Sequence, residues 1–251
     1  MNASVASPTP PAGTPDGRGP VGILGAMDAE ISEFLAHAQA IERTEWHGFV
    51  FHRIVLAGKE VVLVKSGVGK VFCALVSQHL IDAYAPDAMI FTGVAGALNP
   101  SYDIGDVVVS RDCLQHDVDG LALGFSRGTL LYTDWKAFPA DAGLKRLALS
   151  ARPEGHRIWE GRILTGDQFM TRDEINLHRY LLDELHGDAV EMEGGALAQV
   201  AAVNKIPYVV IRTISDRADG DAVHDFGKFL PVIAKNSYAV TERILSGYST
   251  R

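Results

Sequence analysis

Apolar runs and helically spaced segments alternate along most of this chain. The run VGILGA at 21–26 predicts a short buried strand, and DAEISEFLAHAQA at 28–40 places its large apolar residues on one face of a helix. Two β-rich runs between 49 and 67 are broken by turn residues at 57–60, which predicts a hairpin. The ordered part of the chain is therefore expected to begin with a strand, a helix and a hairpin.

The same alternation continues towards the carboxyl end. It predicts strands at 87–98, 104–117, 161–170 and 206–216, and helices at 70–84, 194–205 and 226–245, the last interrupted early by Pro231. Several strands are continuous runs of valine and isoleucine, as in strands that are covered on both faces. Strands separated by helices indicate an α/β fold, with a mixed, mostly parallel central sheet flanked by helices.

The first twenty residues differ in composition from the rest. Residues 1–20 are mostly Pro, Gly, Ala, Ser and Thr, so they have little apolar surface to bury and predict a disordered tail. They lack the positive start and apolar run of a signal peptide, and no later segment reaches the roughly 18 apolar residues of a spanning helix. Because no linker follows Pro20, residues 21–251 are predicted to form one domain.

Charge and cysteine content narrow the class of ligand. The formal net charge is −8, so we expect no general affinity for nucleic acid or for an anionic membrane. A small neutral or cationic ligand fits this charge better. The two cysteines, Cys73 and Cys113, lack the spacing of a metal site or a disulfide framework. We therefore expect no metal, and reduced thiols in a cytoplasmic protein.

Polar or glycine residues follow the predicted strands at six places. In open α/β sheets, ligands bind beyond the carboxyl ends of the strands. One such residue is most often a turn residue or a helix cap, but six that meet at one edge of a sheet predict a ligand site. The six places are 25–30, 66–69, 92–96, 165–169, 191–193 and 215–216.

Charged residues next to apolar runs give a stronger indication of chemistry. Arg212 lies inside the run PYVVIRTIS and, in an extended strand, shares a side with Asp216. A buried arginine needs an acceptor, so an internal ion pair explains it as well as an active site does. Glu191 and Glu193 also share a side in an extended chain, which can direct both carboxylates into one cleft.

Seven motifs occur in unbroken order after Pro20. They are GILGAMDAEISEFL, VKSGVGKVFCAL, TGVAGAL, IGDVVVS, TGDQFM, VEMEGGALAQVA and VVIRTISDRADG. Together they resemble the purine nucleoside phosphorylase superfamily, and most closely its bacterial nucleosidases that cleave methylthioadenosine and S-adenosylhomocysteine. The resemblance implies hydrolysis of the N-glycosidic bond of an adenine nucleoside with water as nucleophile. It also implies a homodimer, and no cofactor.

The resemblance also implies roles at the sugar and the nucleophile. Glu30 falls where the family has the acid that activates the attacking water, and Arg212 and Glu191 fall where groups that orient this water are found. Glu193 stands at the position that holds the ribose hydroxyls, and Met192 packs beneath the sugar. Carboxylates in these places stabilise the positive charge that develops on the ribosyl ring as the bond breaks.

Further residues are assigned to the base by the same resemblance. Asp216 occupies the place of the acid at the purine N7 and the exocyclic amine, and must hold a proton when it acts. Phe169 corresponds to the aromatic ring stacked on the base, and Met170 to a backbone contact. Ala95 and Gly96, in the loop TGVAGA, are assigned to substrate contact.

The glycine-rich loops favour hydrolysis over phosphorolysis. The related phosphorylases bind phosphate through arginines in these loops, whereas GAMDAE and TGVAGA contain an acid and no arginine. Glu30 is expected to repel phosphate while it activates water. This sequence has Val94 where the family usually has serine, so that side-chain hydrogen bond is absent. His116 in QHDVD is the histidine expected nearest the cleft, although a lone histidine is more often structural.

The segment at 115–140 departs from the family pattern. It contains LGFSRGTLLYTDW, whose large apolar residues are expected to mark an interface or a ligand groove. The pattern leaves open whether this segment covers its own pocket or that of a partner copy. Two alternatives to the predicted function also stay open: hydrolysis of futalosine-type nucleosides, and non-catalytic nucleoside binding on the same fold.

Overall fold

Ten strands form one mixed sheet in the computed structural model, which describes residues 19–216 and 222–249. The strands are β1 (Val21–Gly25), β2 (Gln39–Trp46), β3 (Phe49–Leu56), β4 (Lys59–Lys65), β5 (Ala88–Ala97), β6 (Val107–Gln115), β7 (Ala137–Pro139), β8 (Ile158–Thr165), β9 (Ala189–Glu191) and β10 (Tyr208–Asp216). The helices are α1 (Asp28–His37), α2 (Lys70–Tyr84), α3 (Ala142–Leu149), α4 (Arg172–Leu177), α5 (Tyr180–Asp183), α6 (Gly194–Asn204) and α7 (Ala222–Gly247). The tail predicted at 1–20 lies outside the described residues, apart from its last two.

The sheet closes on itself at one end. Strands β5, β10, β6, β8 and β9 pair in a ring, because β5 is hydrogen-bonded to both β9 and β10. Strands β1, β4, β3 and β2 continue the sheet from β5. The pairings among β1, β4, β5 and β10 are parallel, whereas β6 and β9 run antiparallel to β10 and β5 respectively. The predicted α/β class with a mixed central sheet is confirmed, and the ring is an additional feature of the tertiary structure.

Helices cover both faces of the sheet, which explains why its strands are continuously apolar. On β1, Ile23 belongs to a buried cluster with Phe34 of α1 and Ile244 of α7. The next residue, Leu24, belongs to a second buried cluster with Leu80 of α2 and Leu197 of α6. Two cores on opposite faces hold the strands rigidly, and so fix the positions of the residues at the strand ends.

The structure corrects two predicted elements. The helix predicted over 28–40 ends at His37, and residues 39–46 form β2, which pairs with β3. The pattern hid this strand because it is a charged, exposed edge strand rather than an alternating one. The predicted interruption at Pro231 is also absent, since α7 is assigned as one helix through that position. A proline removes one helical hydrogen bond, and the packing of α7 against β10, β5 and α1 offsets that loss.

No helix within 19–216 and 222–249 is long and apolar enough to cross a membrane.

Candidate active site

A cavity of about 280 Å³ lies where β5, β9 and β10 meet the first turns of α1 and α6. Its wall contains all the predicted site residues except Arg212, which is fully buried. These lining residues are Glu30, Ala95, Gly96, Phe169, Met170, Glu191, Met192, Glu193 and Asp216. The structure therefore brings residues from five separate stretches of sequence to one place.

Seven further residues line the cavity that were not among the predicted site residues. They are Ala26, Met27, Val68, Val94, Gln168, Val190 and Ser215. All but Val190 fall within the strand-end stretches that the sequence pattern had marked, and Val190 precedes one of them. The pattern located the right segments, but it gave no signal for which side chain in each segment faces inward.

Glu30 points back over the start of its own helix. Its Oε2 accepts hydrogen bonds from the backbone N–H of Ala26 at 2.6 Å and of Met27 at 2.9 Å, and its Oε1 accepts one from Val94 N–H at 3.1 Å. Burial raises the pKa of this carboxyl, and the nearby Arg212 guanidinium and the three N–H donors oppose that rise. The result is a buried carboxylate in a fixed orientation.

Gly93 allows Glu30 and Arg212 to approach each other. Arg212 lies beside Gly93 in the pairing of β10 with β5. A Cβ atom added to Gly93 would lie 2.1 Å from Nη1 of Arg212 and 2.6 Å from Oε1 of Glu30. No side chain fits in that space, so this position requires glycine. Oε1 of Glu30 and Nη1 of Arg212 therefore both lie against the Cα atom of Gly93.

Arg212 forms the internal ion pair that the sequence left open, and it does so directly behind the cavity. Its Nη2 donates to Oε2 of Glu191 and, at 3.4 Å, to Oε2 of Glu193, while its guanidinium stacks 4.4 Å from the Phe91 ring centroid. Among the described residues, Nε and Nη1 of Arg212 meet no hydrogen-bond acceptor. A buried arginine with spare donors can hold a ligand as well as an ion pair.

Glu193 is the acid of the VEMEGG motif that is less tightly bound by the protein. Its Oε1 accepts a hydrogen bond from Gly69 N–H at 2.8 Å. Among the described residues, its Oε2 accepts only from Nη2 of Arg212, at the longer distance of 3.4 Å. Burial, and then the neighbouring Glu191 carboxylate, raise the pKa of Glu193 to about 7, against the lowering effect of Arg212. By contrast, the oxygens of Glu191 accept hydrogen bonds from four different donors.

Asp216 reaches the cavity through an irregularity in β10. Ile214 pairs with Ala95 and Asp216 pairs with Gly96, so Ser215 is an extra residue on this strand. The predicted alternation of Arg212 with Asp216 therefore ends at a bulge, and both Ser215 and Asp216 line the cavity. The Ser215 hydroxyl donates to Oδ2 of Asp216 at 2.8 Å, which fixes the orientation of this carboxyl group.

The loop after β8 forms the outer wall. Phe169 is about half exposed, at 49%, whereas Met170 is buried. Asp167 anchors this loop, since its N–H donates to Asp117 at 3.0 Å and its carboxylate accepts from Lys70 N–H at 2.8 Å. An aromatic ring on an anchored, open loop is suited to stacking on a planar ligand that enters from solvent.

His116 does not line the cavity. It is buried against Gly166, at the base of the loop that carries Phe169, and its Nδ1 lies 3.3 Å from the Tyr180 hydroxyl. Burial lowers the pKa of His116 to about 4, so this ring is neutral at ordinary pH. Its contacts are those of a packing residue.

Comparisons with known proteins agree with this geometry. Residues 20–246 match the family model described as the phosphorylase superfamily. A 5′-methylthioadenosine/S-adenosylhomocysteine nucleosidase from Psychromonas ingrahamii is 37% identical over 234 residues, covering 90% of this chain and 98% of that protein.

Two solved structures show the same fold. A 5′-methylthioadenosine/S-adenosylhomocysteine nucleosidase from Colwellia psychrerythraea, in complex with adenine, has a TM-score of 0.86 at 36% identity, covering 92% of this chain and 96% of that one. A futalosine hydrolase from Helicobacter pylori has a TM-score of 0.84 at 33% identity, covering 91% of this chain and 97% of that one.

Proposed function

The chain belongs to the 5′-methylthioadenosine/S-adenosylhomocysteine nucleosidases of the phosphorylase superfamily, and we propose that it hydrolyses the N-glycosidic bond of both nucleosides, releasing adenine and the thioribose product. The observation that carries this proposal is the placement of Glu30, Glu193 and Asp216 around one cavity. Each carboxyl group is buried and held by the protein, so each can act on a different part of a nucleoside.

The sugar is assigned to Glu193 and Met192. As the glycosidic bond breaks, positive charge develops on the ribosyl ring, and a buried carboxylate stabilises this charge more than it stabilises the neutral substrate. Glu193 keeps acceptor capacity towards the cavity, so its carboxylate can also accept hydrogen bonds from the ribose hydroxyls. Met192, between the two acids, supplies an apolar surface under the ring.

The nucleophile is assigned to a water molecule that bridges two atoms close to Gly93. Oε1 of Glu30 is its proton acceptor, and Nη1 of Arg212, which has no acceptor among the described residues, is its hydrogen-bond donor. Glu191 contributes by holding Arg212 in place. Glu30 takes a proton from the water as it attacks the anomeric carbon, which converts a poor nucleophile into a good one.

The base is assigned to the other end of the cavity. Asp216 donates a proton to N7 of adenine, so that the base leaves neutral rather than as an anion. The exocyclic amine donates to the same carboxyl group, the ring stacks on Phe169, and the backbones of Met170, Ala95 and Gly96 complete the contact. Within the described residues, the cavity lining has four carboxyl side chains and no lysine or arginine, so water is favoured over phosphate as nucleophile.

The test is release of free adenine from 5′-methylthioadenosine by the purified protein in phosphate-free buffer. We expect turnover without phosphate, and no increase when phosphate is added. Adenine release that depends on phosphate would identify a phosphorylase instead. Binding without release from any adenine nucleoside would support the non-catalytic alternative.

Futalosine-type nucleosides are the second candidate substrate class. The similarity to a futalosine hydrolase favours including them, because the contacts assigned here to the base and to the ribose hydroxyls do not depend on the 5′ group. Measuring kcat/KM for 5′-methylthioadenosine, S-adenosylhomocysteine and futalosine in one assay decides between the two classes.

Exposed apolar side chains support a homodimer. Val71, Phe72 and Leu75 on α2 are 77%, 52% and 48% exposed, and Val203 on the adjacent α6 is 58% exposed. An apolar surface of this kind usually marks an interface. The segment at 115–140 is also exposed at Trp135, and it contributes no residue to the cavity of its own chain. We assign α2 and α6 to contact with a second copy, and this segment to the cover of that copy's 5′ pocket.

Light scattering of the purified protein is expected to give the mass of a dimer. Val71→Asp should shift it towards monomer, because the substitution places a charge in the apolar interface. Ile41→Asp, on the exposed edge strand β2, is the matched control and should leave the mass unchanged. A fully active monomer in the unmodified protein would contradict the shared pocket.

Trp135→Ala should weaken binding of the alkylthio group more than binding of adenine.

The cellular setting is part of the same proposal. Cys73 and Cys113 are both buried free thiols, which suits a reducing compartment such as the cytoplasm. Release of adenine and a thioribose there would serve methionine salvage.

A further inference from the structure

Thr165 ends β8 one layer behind the cavity wall. Its side chain is fully buried, and it does not line the cavity. The single hydroxyl makes two hydrogen bonds: it donates to Oε1 of Glu191, and it accepts from Gly195 N–H at 2.7 Å. Gly195 permits this approach, because a Cβ atom there would lie 2.9 Å from Oγ1 of Thr165. The hydroxyl therefore connects the end of one strand to the first turn of α6.

The two oxygens of Glu191 are held in different ways. Oε2 accepts from Glu193 N–H at 3.1 Å, from Gly194 N–H at 2.7 Å and from Nη2 of Arg212. For Oε1, the hydrogen-bond donor among the described residues is the Thr165 hydroxyl. Loss of that donor would leave a buried carboxylate oxygen unpaired, which favours rotation of the carboxylate out of its present plane.

We propose that Thr165 is a positioning residue for the hydrolysis, acting through Glu191 on both Arg212 and Glu193. This inference rests on the proposed function. The Thr165 hydroxyl fixes the plane of the Glu191 carboxylate, which sets the guanidinium that faces the nucleophile. It also fixes the first turn of α6, which begins directly after Glu193. One hydroxyl thus couples the group that orients water to the group that stabilises the ribosyl charge.

The test compares Thr165→Val with Thr165→Ser. Valine keeps the shape but can neither donate nor accept, whereas serine keeps the hydroxyl. For Thr165→Val we expect kcat to fall about 10-fold or more, as for loss of a hydrogen bond to a buried charge, with the affinity for free adenine unchanged. For Thr165→Ser we expect a kcat close to that of the unmodified protein.

The pH profile separates positioning from a merely structural role. The Arg212 guanidinium, which Glu191 holds in place, lowers the pKa of both Glu30 and Glu193. If Thr165→Val lets that guanidinium shift, the acidic limb of kcat against pH should move to higher pH, and it should stay in place in Thr165→Ser. Thermal unfolding of each variant is measured in parallel. If Thr165→Val does not fold, Thr165→Cys replaces it, since a thiol is a weaker donor and should give a kcat below that of serine.

Three results would overturn the inference. One is a Thr165→Val enzyme with unchanged kcat and pH profile. Another is an equal loss of kcat in the valine and serine variants. The third is a loss of adenine affinity that accompanies a lower melting temperature. The unmodified protein is assayed alongside: if it releases adenine while Thr165→Val matches it, the inference alone fails, and if it releases none, the proposed function fails.

Discussion

Replacing Asp216 by asparagine is expected to lower kcat for adenine release about 100-fold or more, in line with the usual contribution of a general acid. Asparagine keeps the shape of the side chain, and its amide oxygen can still accept from the Ser215 hydroxyl, which bonds Oδ2 at 2.8 Å. It has no acidic proton to give to N7, so adenine must leave as an anion. Steady-state kinetics with 5′-methylthioadenosine measures the effect.

The matched control for this variant is Asp28→Asn. Asp28 is exposed and pairs with Lys65 at 2.8 Å on the surface, so the same chemical change there should leave kcat within about twofold, because surface ion pairs contribute little. Near-normal turnover of Asp216→Asn would remove Asp216 from its assigned role. A loss confined to KM would instead show that it only binds the base.

Replacing Glu30 by glutamine is expected to lower kcat for hydrolysis by about 100-fold or more, while substrate binding is retained. The residue serves the nucleophile rather than the nucleoside, and a neutral amide cannot take a proton from water. Isothermal titration with 5′-methylthioadenosine measures binding, and adenine release measures chemistry. Melting curves are needed as well, since glutamine has one oxygen for the three N–H groups that bond to Glu30.

Glu33→Gln is the control on the same helix, because Glu33 is partly exposed and its ion pair within the described part of the chain is a weak one, with His37 at 3.8 Å. It should leave both binding and turnover unchanged. Weakened binding with intact turnover in Glu30→Gln would show that the assignment is wrong.

The pH dependence of the unmodified protein follows from the same carboxylates. Glu30 and Glu193 act in their ionised forms, and burial raises the pKa of both, that of Glu193 to about 7. Activity should therefore fall as the pH drops through these raised values.

The sequence alone was informative where local pattern decides structure. The helix α2 was predicted with its observed bounds, and the hairpin of β3 and β4 with its turn, because apolar spacing and turn residues act over a few positions. The edge strand β2 was missed, because an exposed, charged strand has no apolar face to reveal its period.

The site shows the same division. The motifs marked the segments that line the cavity, and the resemblance named Glu30, Glu193 and Asp216 before their positions were known. The sequence also indicated that Arg212 would need a buried acceptor. It could not choose between an ion pair and an active site, and the structure shows the pair with Glu191 at the cavity itself.

Tertiary structure alone decided how these segments meet. The sequence pattern predicted that the carboxyl ends of the strands meet at one edge of the sheet. They do not all do so, because β6 is antiparallel to β10 and β9 is antiparallel to β5. The segments come together because the sheet closes into a ring and β10 bulges at Ser215. Such pairings join residues far apart in the chain, as when Thr165 bonds to Glu191 and Glu30 to Val94. The sequence determined which residues carry the chemistry, since that depends on residue type and local order. Their distances and charge states depend on long-range packing and burial, which no local pattern encodes.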